Sequence, residues 1–220
     1  MNVENVLLLI LLWSAYFAIH SLLASVTVKR WVQHQWPRIM PYYRIGFNSL
    51  VTLLLILPVG YMISRHGPLL WQWQGYAKWF ANTLAVVAAI AFIWTLRFYD
   101  MQEFTGVKQT REKNVDIHDQ ETFKISPLHR YVRHPWYFLG LIILWSRDMD
   151  YLYLTTAIMV TLYLFIGAKL EENKLIAYHG PIYRQYSEKV PGIIPRPWRY
   201  LTKAQAAHLQ SNALERKQAR

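Results

Sequence analysis

The residues best suited to chemistry stand at the two ends of one apolar region in the second half of the chain. Arg133 and His134 directly precede a proline at its start, and Lys169, Glu171 and Glu172 follow its end. A proline suits the first turn of a helix, where the unpaired backbone N–H groups favour an anion. If the region folds back on itself, both groups lie at one mouth, and their opposite charges suit a zwitterionic ligand.

These residues also have a purely structural explanation. Charged side chains often mark the point where a helix leaves the membrane, and a long lysine such as Lys169 reaches the headgroups without any further role. Tyr183 and Tyr186 suit the same interface as aromatic residues. Two adjacent glutamates beside a bilayer are harder to explain in this way, so Glu171 and Glu172 carry most of the functional argument.

The elements that must position these side chains are membrane helices. The chain has 220 residues, of which 54% are hydrophobic and 17% charged, and its apolar residues come in blocks. Residues 5–24, 45–64 and 79–96 carry no formal charge, and each run has about the length needed to cross a ~30 Å hydrocarbon core. Because backbone polar groups in lipid must pair internally, these runs predict three helices in a bundle.

A fourth apolar region, residues 136–168, is interrupted by the sequence RDMD. Residues 136–146 are too few to span alone, whereas 151–168 form an uncharged run of sufficient length. This pattern predicts a helical hairpin whose tip is 147–150 and whose first arm borrows residues from 127–135. The predicted fold is therefore an all-α, polytopic bundle of five transmembrane helices, the last two a hairpin, with a short helical cytosolic segment after them.

Lysine and arginine are concentrated on one predicted side of the membrane. With the N-terminus outside, the inner segments 25–44, 97–135 and 169–220 contain 21 of the 24 basic residues. This bias fits the positive-inside rule and predicts a bacterial inner-membrane protein with an outer N-terminus and a cytosolic C-terminus. The net charge of +11 then reflects topology and attraction to anionic membrane lipids, so a nucleic-acid partner is not expected.

Several chemistries are not expected from this composition. The chain has no cysteine, which excludes disulfides, thiolate metal sites and a cysteine nucleophile. It has no glycine-rich nucleotide loop and no HExxH pair. His129 and His134 are five residues apart and do not share a helix face well. We therefore expect no metal site.

The spacing of motifs around the hairpin resembles a known family. The chain is similar to the integral-membrane methyltransferases related to isoprenylcysteine carboxyl methyltransferase over roughly residues 127–197. Their pattern is R-H-P-x-Y, then E-E-x-x-L, then G-x-x-Y-x-x-Y, and a closing V-P-x-x-x-P. The matching stretches here are Arg133 to Tyr137, Glu171 to Leu175, Gly180 to Tyr186 and Val190 to Pro195.

The front half resembles one bacterial branch of this superfamily. The stretches HSLLASVTVKRW, PYYRIGFNSL and YDMQEFTGVKQ are similar to the branch that includes methanethiol S-methyltransferases and NnrU proteins. The segment IGAKLEE is similar to the residues that precede the glutamates in the methanethiol enzymes.

The resemblance implies S-adenosylmethionine as the cofactor, bound by the hairpin and the segment after it. By residue-to-residue correspondence, His134, Tyr137 and Glu172 contact the cofactor, with Glu171 as a neighbour. Three further residues close the pocket: Tyr183, Arg184 and Tyr186. A carboxylate suits the methionine amino group, and the Arg/His helix start suits its carboxylate.

The implied organisation is a single integral-membrane domain over residues 1–220. Residues 1–126 form three helices and a cytosolic loop, 127–200 the cofactor-binding hairpin and tail, and 201–220 a polar C-terminal tail. Within that tail, residues 203–220 form either a loosely held helix or a disordered segment. The stretch 97–126 is either a lid over the pocket or a linker.

The predicted activity is transfer of the S-adenosylmethionine methyl group to a small apolar thiol or a lipophilic acceptor. The alternatives are a prenylcysteine or phospholipid methyltransferase and a non-catalytic, NnrU-like membrane accessory protein. Methyl transfer needs alignment more than strong acid–base help. Lys169, with Arg133 as a second candidate, is predicted to steer an anionic acceptor, whereas an amine acceptor needs Glu171 or His129 as a base.

Overall fold

A computed structural model describes residues 3–65, 67–113 and 123–218 of the chain. Nearly all regular structure in these residues is helical, as the sequence predicts, with one small pair of strands. The helices are α1 Val3–Ala24, α2 Val26–Gln35, α3 Tyr43–Ser64, α4 Gly75–Thr95, α5 Met101–Thr105, α6 Val107–Arg111, α7 Pro135–Trp145, α8 Tyr151–His179, α9 Pro181–Lys189 and α10 Lys203–Gln218. The strands are β1 Leu69–Trp71 and β2 Met149–Asp150.

Four of the described helices are long and apolar enough to cross a membrane, so the chain is a membrane protein. They are α1 (Val3–Ala24), α3 with the 3-10 turn before it (Met40–Ser64), α4 with the 3-10 turn after it (Gly75–Phe98) and α8 (Tyr151–His179). The first three coincide with the uncharged runs found in the sequence. The predicted first arm of the hairpin is α7, which is apolar but has only 11 residues and is about 16 Å long. Five spanning helices were predicted, and four have spanning length.

One compact unit comprises Met1–Gln72, Tyr99–Gln120 and Asp148–Met159. In it α1 packs against α3, and Leu9 and Trp13 are the buried residues of α1. Two side-chain hydrogen bonds fasten α1: Trp13 Nε1 donates to Thr156 Oγ1 at 3.0 Å, and Tyr61 donates to Asn5 at 2.9 Å. Because an indole N–H in an apolar setting needs a partner, the threonine fixes the position of α1 along α8.

The strands belong to the same unit. β1 and β2 pair antiparallel, with Leu69 opposite Asp150 and Trp71 opposite Met149. The Asp150 carboxylate then accepts from the backbone N–H of Tyr153 at 2.7 Å, which caps the first turn of α8. The segment between α7 and α8 is therefore fixed by a strand pair and a helix cap.

Gly106 joins α5 to α6 in this unit. Its φ is +94°, a region that favours glycine, and an added Cβ would lie 2.8 Å from the backbone nitrogen of Ile45. The glycine of the G-V-K-Q stretch is therefore required both by backbone conformation and by close approach. The predicted 97–126 lid or linker contains α5 and α6, and its residues 114–122 lie outside the described residues.

The second unit comprises Trp73–Phe98, Glu121–Arg147 and Val160–Arg220. Its α4 packs against α7, and Trp136 Nε1 donates to Thr95 Oγ1 at 2.7 Å. α7 and α8 run antiparallel as the predicted hairpin. Near the tip, Trp145 Nε1 donates to Thr161 Oγ1 at 2.9 Å. Eleven residues before Trp145 and eleven after Thr161, His134 Nε2 lies 3.1 Å from Glu172 Oε1.

The segment after α8 forms its own small core. α8 ends at His179 because Gly180 has φ +59° and is followed by Pro181, the first residue of α9. The buried side chains come from α9, α10 and the segment between them: Tyr183, Tyr186, Val190, Leu201, Ala206 and Leu209. The sequence predicted a polar tail over 201–220, with residues 203–220 either a loosely held helix or disordered. In the structure α10 buries Ala206 and Leu209 in this core.

Candidate functional site

Four of the five charged residues predicted to meet at one mouth do meet, within the second unit, and the fifth, Lys169, does not join them. Pro135 begins α7 and places Arg133 and His134 just before its first turn. The antiparallel α8 brings Glu171 and Glu172 opposite them. The hairpin alone therefore assembles the cluster from residues almost forty positions apart.

Glu172 lies at the centre of this cluster. Its Oε1 accepts from Arg133 Nε at 2.9 Å and Nη2 at 2.6 Å, and lies 3.1 Å from His134 Nε2. The side chains of Arg133 and Glu172 are only 12% and 13% exposed. Because the pair is largely removed from water, its hydrogen bonds must be nearly complete, and one carboxylate oxygen takes most of them.

Arg133 has a second role as the fastening of the C-terminal segment. Its Nη1 donates to two carbonyls: that of Ser187 in the last turn of α9, at 2.9 Å, and that of Val190, the residue directly after the helix. Its backbone N–H donates to Pro191 and Gly192, both at 2.9 Å. The guanidinium thus satisfies carbonyls that the end of a helix leaves unpaired. Predicted as a candidate to steer the acceptor, Arg133 is fully engaged in holding α8 and α9 together.

Gly192 belongs to the site although it was not singled out from the sequence. Its carbonyl accepts from the N–H of His134 at 3.1 Å, and its Cα faces Arg133 Nη2 and Glu172 Oε1. The V-P-x-x-x-P motif that surrounds it is the signal that locates it. The prolines 191 and 195 hold this segment extended so that its carbonyls face the start of α7.

His134 is the bridge between the two glutamates. It is 6% exposed, and its ring nitrogens lie 3.4 Å from Glu171 Oε2 and 3.1 Å from Glu172 Oε1. Burial opposes protonation, but hydrogen bonds to Glu171 and Glu172 outweigh it and raise the pKa of His134 above its ordinary value. Only the imidazolium donates from both nitrogens, so the geometry also favours the charged form.

Glu171 is the more open of the two glutamates. Its side chain is 48% exposed, whereas that of Glu172 is 13% exposed. One oxygen, Oε2, accepts from the hydroxyl of Tyr137 at 3.2 Å. The Tyr137 ring stacks on His134 with centroids 5.2 Å apart and an interplanar angle of 12°. Tyr137 and His134 therefore fix the Glu171 carboxylate from one side and leave its other side accessible.

Tyr183 and Tyr186, predicted to close the pocket, lie in the core beneath the cluster. Both are buried, and Tyr186 donates to the carbonyl of His129 at 2.7 Å. Burial and then the negative charge of Glu172 raise the pKa of Tyr183, which keeps its phenol neutral. Both rings therefore belong to the small core formed by the segment after α8.

His129 is held next to the cluster by Ser126. The hydroxyl of Ser126 lies 2.7 Å from His129 Nδ1. Burial, and next the positive charge of His134, lower the pKa of His129 to about 4. His129 is therefore a neutral imidazole at physiological pH, in contrast to its neighbour five residues later.

Lys169 and Arg184 are not drawn into the cluster. Both side chains are exposed, Lys169 on α8 one turn before the glutamates and Arg184 on α9. The assembled set within the described residues is thus Arg133, His134, Tyr137, Glu171 and Glu172. In the part of the chain that the structure describes, no group of three or more His, Asp and Glu side chains is arranged to hold a metal ion.

Relatives of known name match most of the chain. It is 30% identical over 198 residues to a methanethiol S-methyltransferase of a Pseudomonas species, covering 84% of this chain and 72% of that protein. It is 27% identical over 198 residues to methanethiol S-methyltransferase 2 of Bradyrhizobium diazoefficiens, covering 88% and 74%. Methanethiol S-methyltransferase 1 of that organism is 29% identical over 211 residues, covering 89% and 68%. No family profile and no solved structure matches the chain.

Proposed function

Because the chain belongs to the family of the methanethiol S-methyltransferases, we propose that it is a membrane methyltransferase that uses S-adenosylmethionine and methylates a small thiol. The observation that carries this proposal is the mixed-charge cluster at the mouth of the α7–α8 hairpin. Two carboxylates from α8 meet an arginine, an imidazole and a phenol from the start of α7 within hydrogen-bonding distance. This donor set suits a ligand that is both anionic and cationic.

The residues present fit the methionine part of S-adenosylmethionine. Its ammonium and sulfonium are cationic, and the half-exposed carboxylate of Glu171 would pair with such a charge. Its carboxylate is anionic and suits the backbone N–H groups and positive dipole end at the first turn of α7. When bound, S-adenosylmethionine supplies an electrophilic methyl group on a sulfonium.

The two glutamates are assigned different roles in this proposal. Glu172 has its Oε1 committed to Arg133 and His134, so we assign it to positioning. Glu171 is the carboxylate left accessible, and we assign it to direct contact with the cofactor. Tyr137 and His134 orient Glu171 by hydrogen bonding and by their mutual stacking. The cofactor contact predicted from the sequence for Glu172 thus passes to its neighbour.

The thiol acceptor must react as its thiolate, which is the nucleophilic form. A free thiol has a pKa of about 8.5 or more, and a nearby cation lowers it by favouring the charged form. Lys169 is the predicted catalytic cation that the cluster does not engage, and it lies on α8 next to the glutamates. We assign it to stabilising the approaching thiolate.

Cofactor binding tests the proposal directly. Calorimetry on the purified protein in detergent should show binding of S-adenosylmethionine and of its demethylated product. Lys203→Ala, an exposed change at the start of α10, should bind as the parent does. If neither compound binds, the enzyme assignment fails and the alternative of a non-catalytic accessory protein is favoured.

The acceptor requires a second experiment. Membranes containing the protein are incubated with methyl-labelled cofactor and either methanethiol or a prenylcysteine. Volatile label formed from methanethiol supports the thiol. Base-labile label in the lipid fraction contradicts it and supports the lipophilic acceptor.

We propose the bacterial inner membrane as the location, with the site on the cytosolic side. The three relatives named above come from bacteria, and 21 of the 24 basic residues fall in the predicted inner segments. A cytosolic site is required because S-adenosylmethionine is a polar compound made in the cytosol. We further propose that α7 makes the fifth crossing.

A further inference from the structure

A tight turn after α9 presents a tryptophan to the outside of the protein. Arg196 and Arg199 pair as an isolated antiparallel bridge, and the N–H of Arg199 donates to the carbonyl of Arg196 at 2.9 Å. Pro197 and Trp198 form the tip. Trp198 is 77% exposed. We refer to Arg196–Arg199 as the tryptophan turn.

The surface around the tryptophan turn is aromatic, apolar and basic. Ile194 is 61% exposed, and Tyr131 and Tyr200 are exposed and stack with centroids 5.9 Å apart. The guanidinium of Arg130 lies 5.5 Å from the Tyr131 ring, and Arg196 is exposed at the turn. Tryptophan and tyrosine beside arginine is the composition found where proteins meet the headgroup region of a bilayer.

The base of the turn is fastened close to the membrane boundary. The N–H of Leu201 donates to the carbonyl of Arg130 at 2.9 Å, and Arg130 Nε donates back to the carbonyl of Leu201 at 2.8 Å. The apolar helix α7 begins at Pro135, and the five residues from Arg130 to it span at most about 17 Å. Arg130, to which the base of the turn is bonded, therefore lies within about 17 Å of the residue at which the apolar helix begins.

We propose that the tryptophan turn docks into the headgroup region of the bilayer on the side of the cluster. Trp198 and Ile194 insert below the phosphates, and Arg196 pairs with anionic lipid. One basic residue near an anionic surface is worth roughly a fivefold change in binding. The bilayer is the chosen partner because the chain crosses it and because positive side chains surround the exposed rings.

Docking of the turn has a consequence for the cluster. Arg199 Nη2 donates to the carbonyls of Ser187, at 3.4 Å, and Glu188 at the end of α9. The carbonyl of Ser187 also accepts from Arg133. A turn held at the membrane surface therefore holds the end of α9 against the Arg133–Glu172 pair, whether or not the protein is catalytic.

A single nitroxide label measures the depth of the turn. Because the chain has no cysteine, Trp198→Cys gives one labelling position in the full-length protein, reconstituted into vesicles of phosphatidylcholine and phosphatidylglycerol. We expect high collision rates with oxygen, which concentrates in lipid, and low rates with a water-soluble nickel chelate. Gln185→Cys, on the exposed face of α9, is the matched control and should show the opposite order.

Two further measurements decide between the outcomes. Adding Arg196→Gln to Trp198→Cys should raise the nickel collision rate at position 198, and so should omitting phosphatidylglycerol. A label at 198 that resembles the one at 185 overturns the proposal. A label at 198 that is shielded from both oxygen and the nickel chelate, and that becomes accessible when fewer proteins are placed in each vesicle, also overturns the proposal. That result indicates a contact with another protein molecule. Should the cysteine variant elute as aggregate, Trp198→Phe replaces the label. Brominated lipid should then quench a smaller share of the tryptophan fluorescence than in the parent, because one of the ten tryptophans has been removed from the lipid, and an equal share overturns the proposal.

Discussion

Glu171 and Glu172 are adjacent in the sequence, yet their side chains have different surroundings. Successive residues of a helix point about 100° apart, so Glu172 faces Arg133 while Glu171 faces Tyr137 and stays half exposed. A motif written E-E therefore contains one carboxylate that holds the structure together and one that remains open to a ligand.

Neutral substitution should separate these two roles. We expect Glu171→Gln to weaken S-adenosylmethionine binding about 10- to 100-fold, the worth of one charge-assisted hydrogen bond, with little change in thermal unfolding. Glu172→Gln should instead lower the free energy of unfolding by about 2–3 kcal/mol, because Arg133 loses its carboxylate. Calorimetry and thermal unfolding in detergent measure the two effects. If Glu172→Gln reduced binding alone, the division of roles would be wrong.

The charge on His134 makes a pH-dependent contribution to stability. Because its folded pKa is raised above the ordinary 6.5, the contribution is fully present below pH 6.5 and is lost as pH rises through the folded pKa. We expect the unfolding temperature of the parent to fall over that range more steeply than that of His134→Gln. His129, with a pKa of about 4, is neutral throughout. Parallel curves for parent and variant would contradict the charged bridge.

At the scale of elements, the joint between α8 and α9 depends on a backbone conformation that side chains disfavour. Gly180 has φ +59° and ψ −131°, and an added Cβ would meet nothing within 4 Å. Crowding is therefore absent, and the cost of a side chain is conformational.

We predict that Gly180→Ala lowers the free energy of unfolding by about 1–2 kcal/mol. Gly167→Ala, at an uncrowded position inside α8, is the control and should leave stability unchanged or raise it, because alanine favours a helix. Thermal unfolding of both variants is the measurement. Equal effects would show that the joint tolerates a side chain.

Arg133 connects three elements: the start of α7, Glu172 on α8 and the terminal carbonyls of α9. Lysine preserves the charge but has no planar fork, so it cannot bond a carboxylate and two carbonyls together. Arg133→Lys should therefore lower the free energy of unfolding by about 2 kcal/mol. Arg184→Lys, at an exposed position on α9, should stay within ~0.5 kcal/mol. Chemical unfolding in detergent compares the two.

At the scale of the whole molecule, the strand pair bears on membrane topology. β1 lies in the connection between α3 and α4, and β2 lies between α7 and α8. Their pairing places the hairpin tip on the same side of the membrane as that connection. In the proposed topology α4 crosses to the opposite side, so the chain from His134 to Met149 makes the fifth crossing. The helix in this stretch is α7, which has 11 residues and extends about 16 Å, so the crossing needs a locally thinned bilayer.

The termini report whether this fifth crossing exists. With five crossings we expect alkaline phosphatase activity from an N-terminal fusion and fluorescence from a C-terminal green fluorescent protein, since the termini then lie on opposite sides. Four crossings would put both termini on one side. That result would contradict the crossing by α7. It would also contradict the outer N-terminus if both termini were cytosolic, or the cytosolic C-terminus if both were outside.

The sequence by itself determined where the membrane helices lie, where α7 begins and where α8 ends. Uncharged runs of spanning length predict membrane helices because lipid leaves the backbone no other partner. The proline after His134 and the glycine before Pro181 mark helix ends for equally local reasons. The hairpin reading located Arg133, His134, Glu171 and Glu172, and the family resemblance added Tyr137.

Only the tertiary structure decided which partner each charged residue takes. The path of the segment after α9 decides three contacts of the cluster. Arg133 is occupied by Glu172 and two carbonyls, Glu171 stays open, and Gly192 lies next to Arg133 and Glu172. That α10 buries Ala206 and Leu209 depends on the same core. Such contacts join residues up to about eighty positions apart, and no local pattern in a sequence specifies the direction in which a side chain meets a distant one.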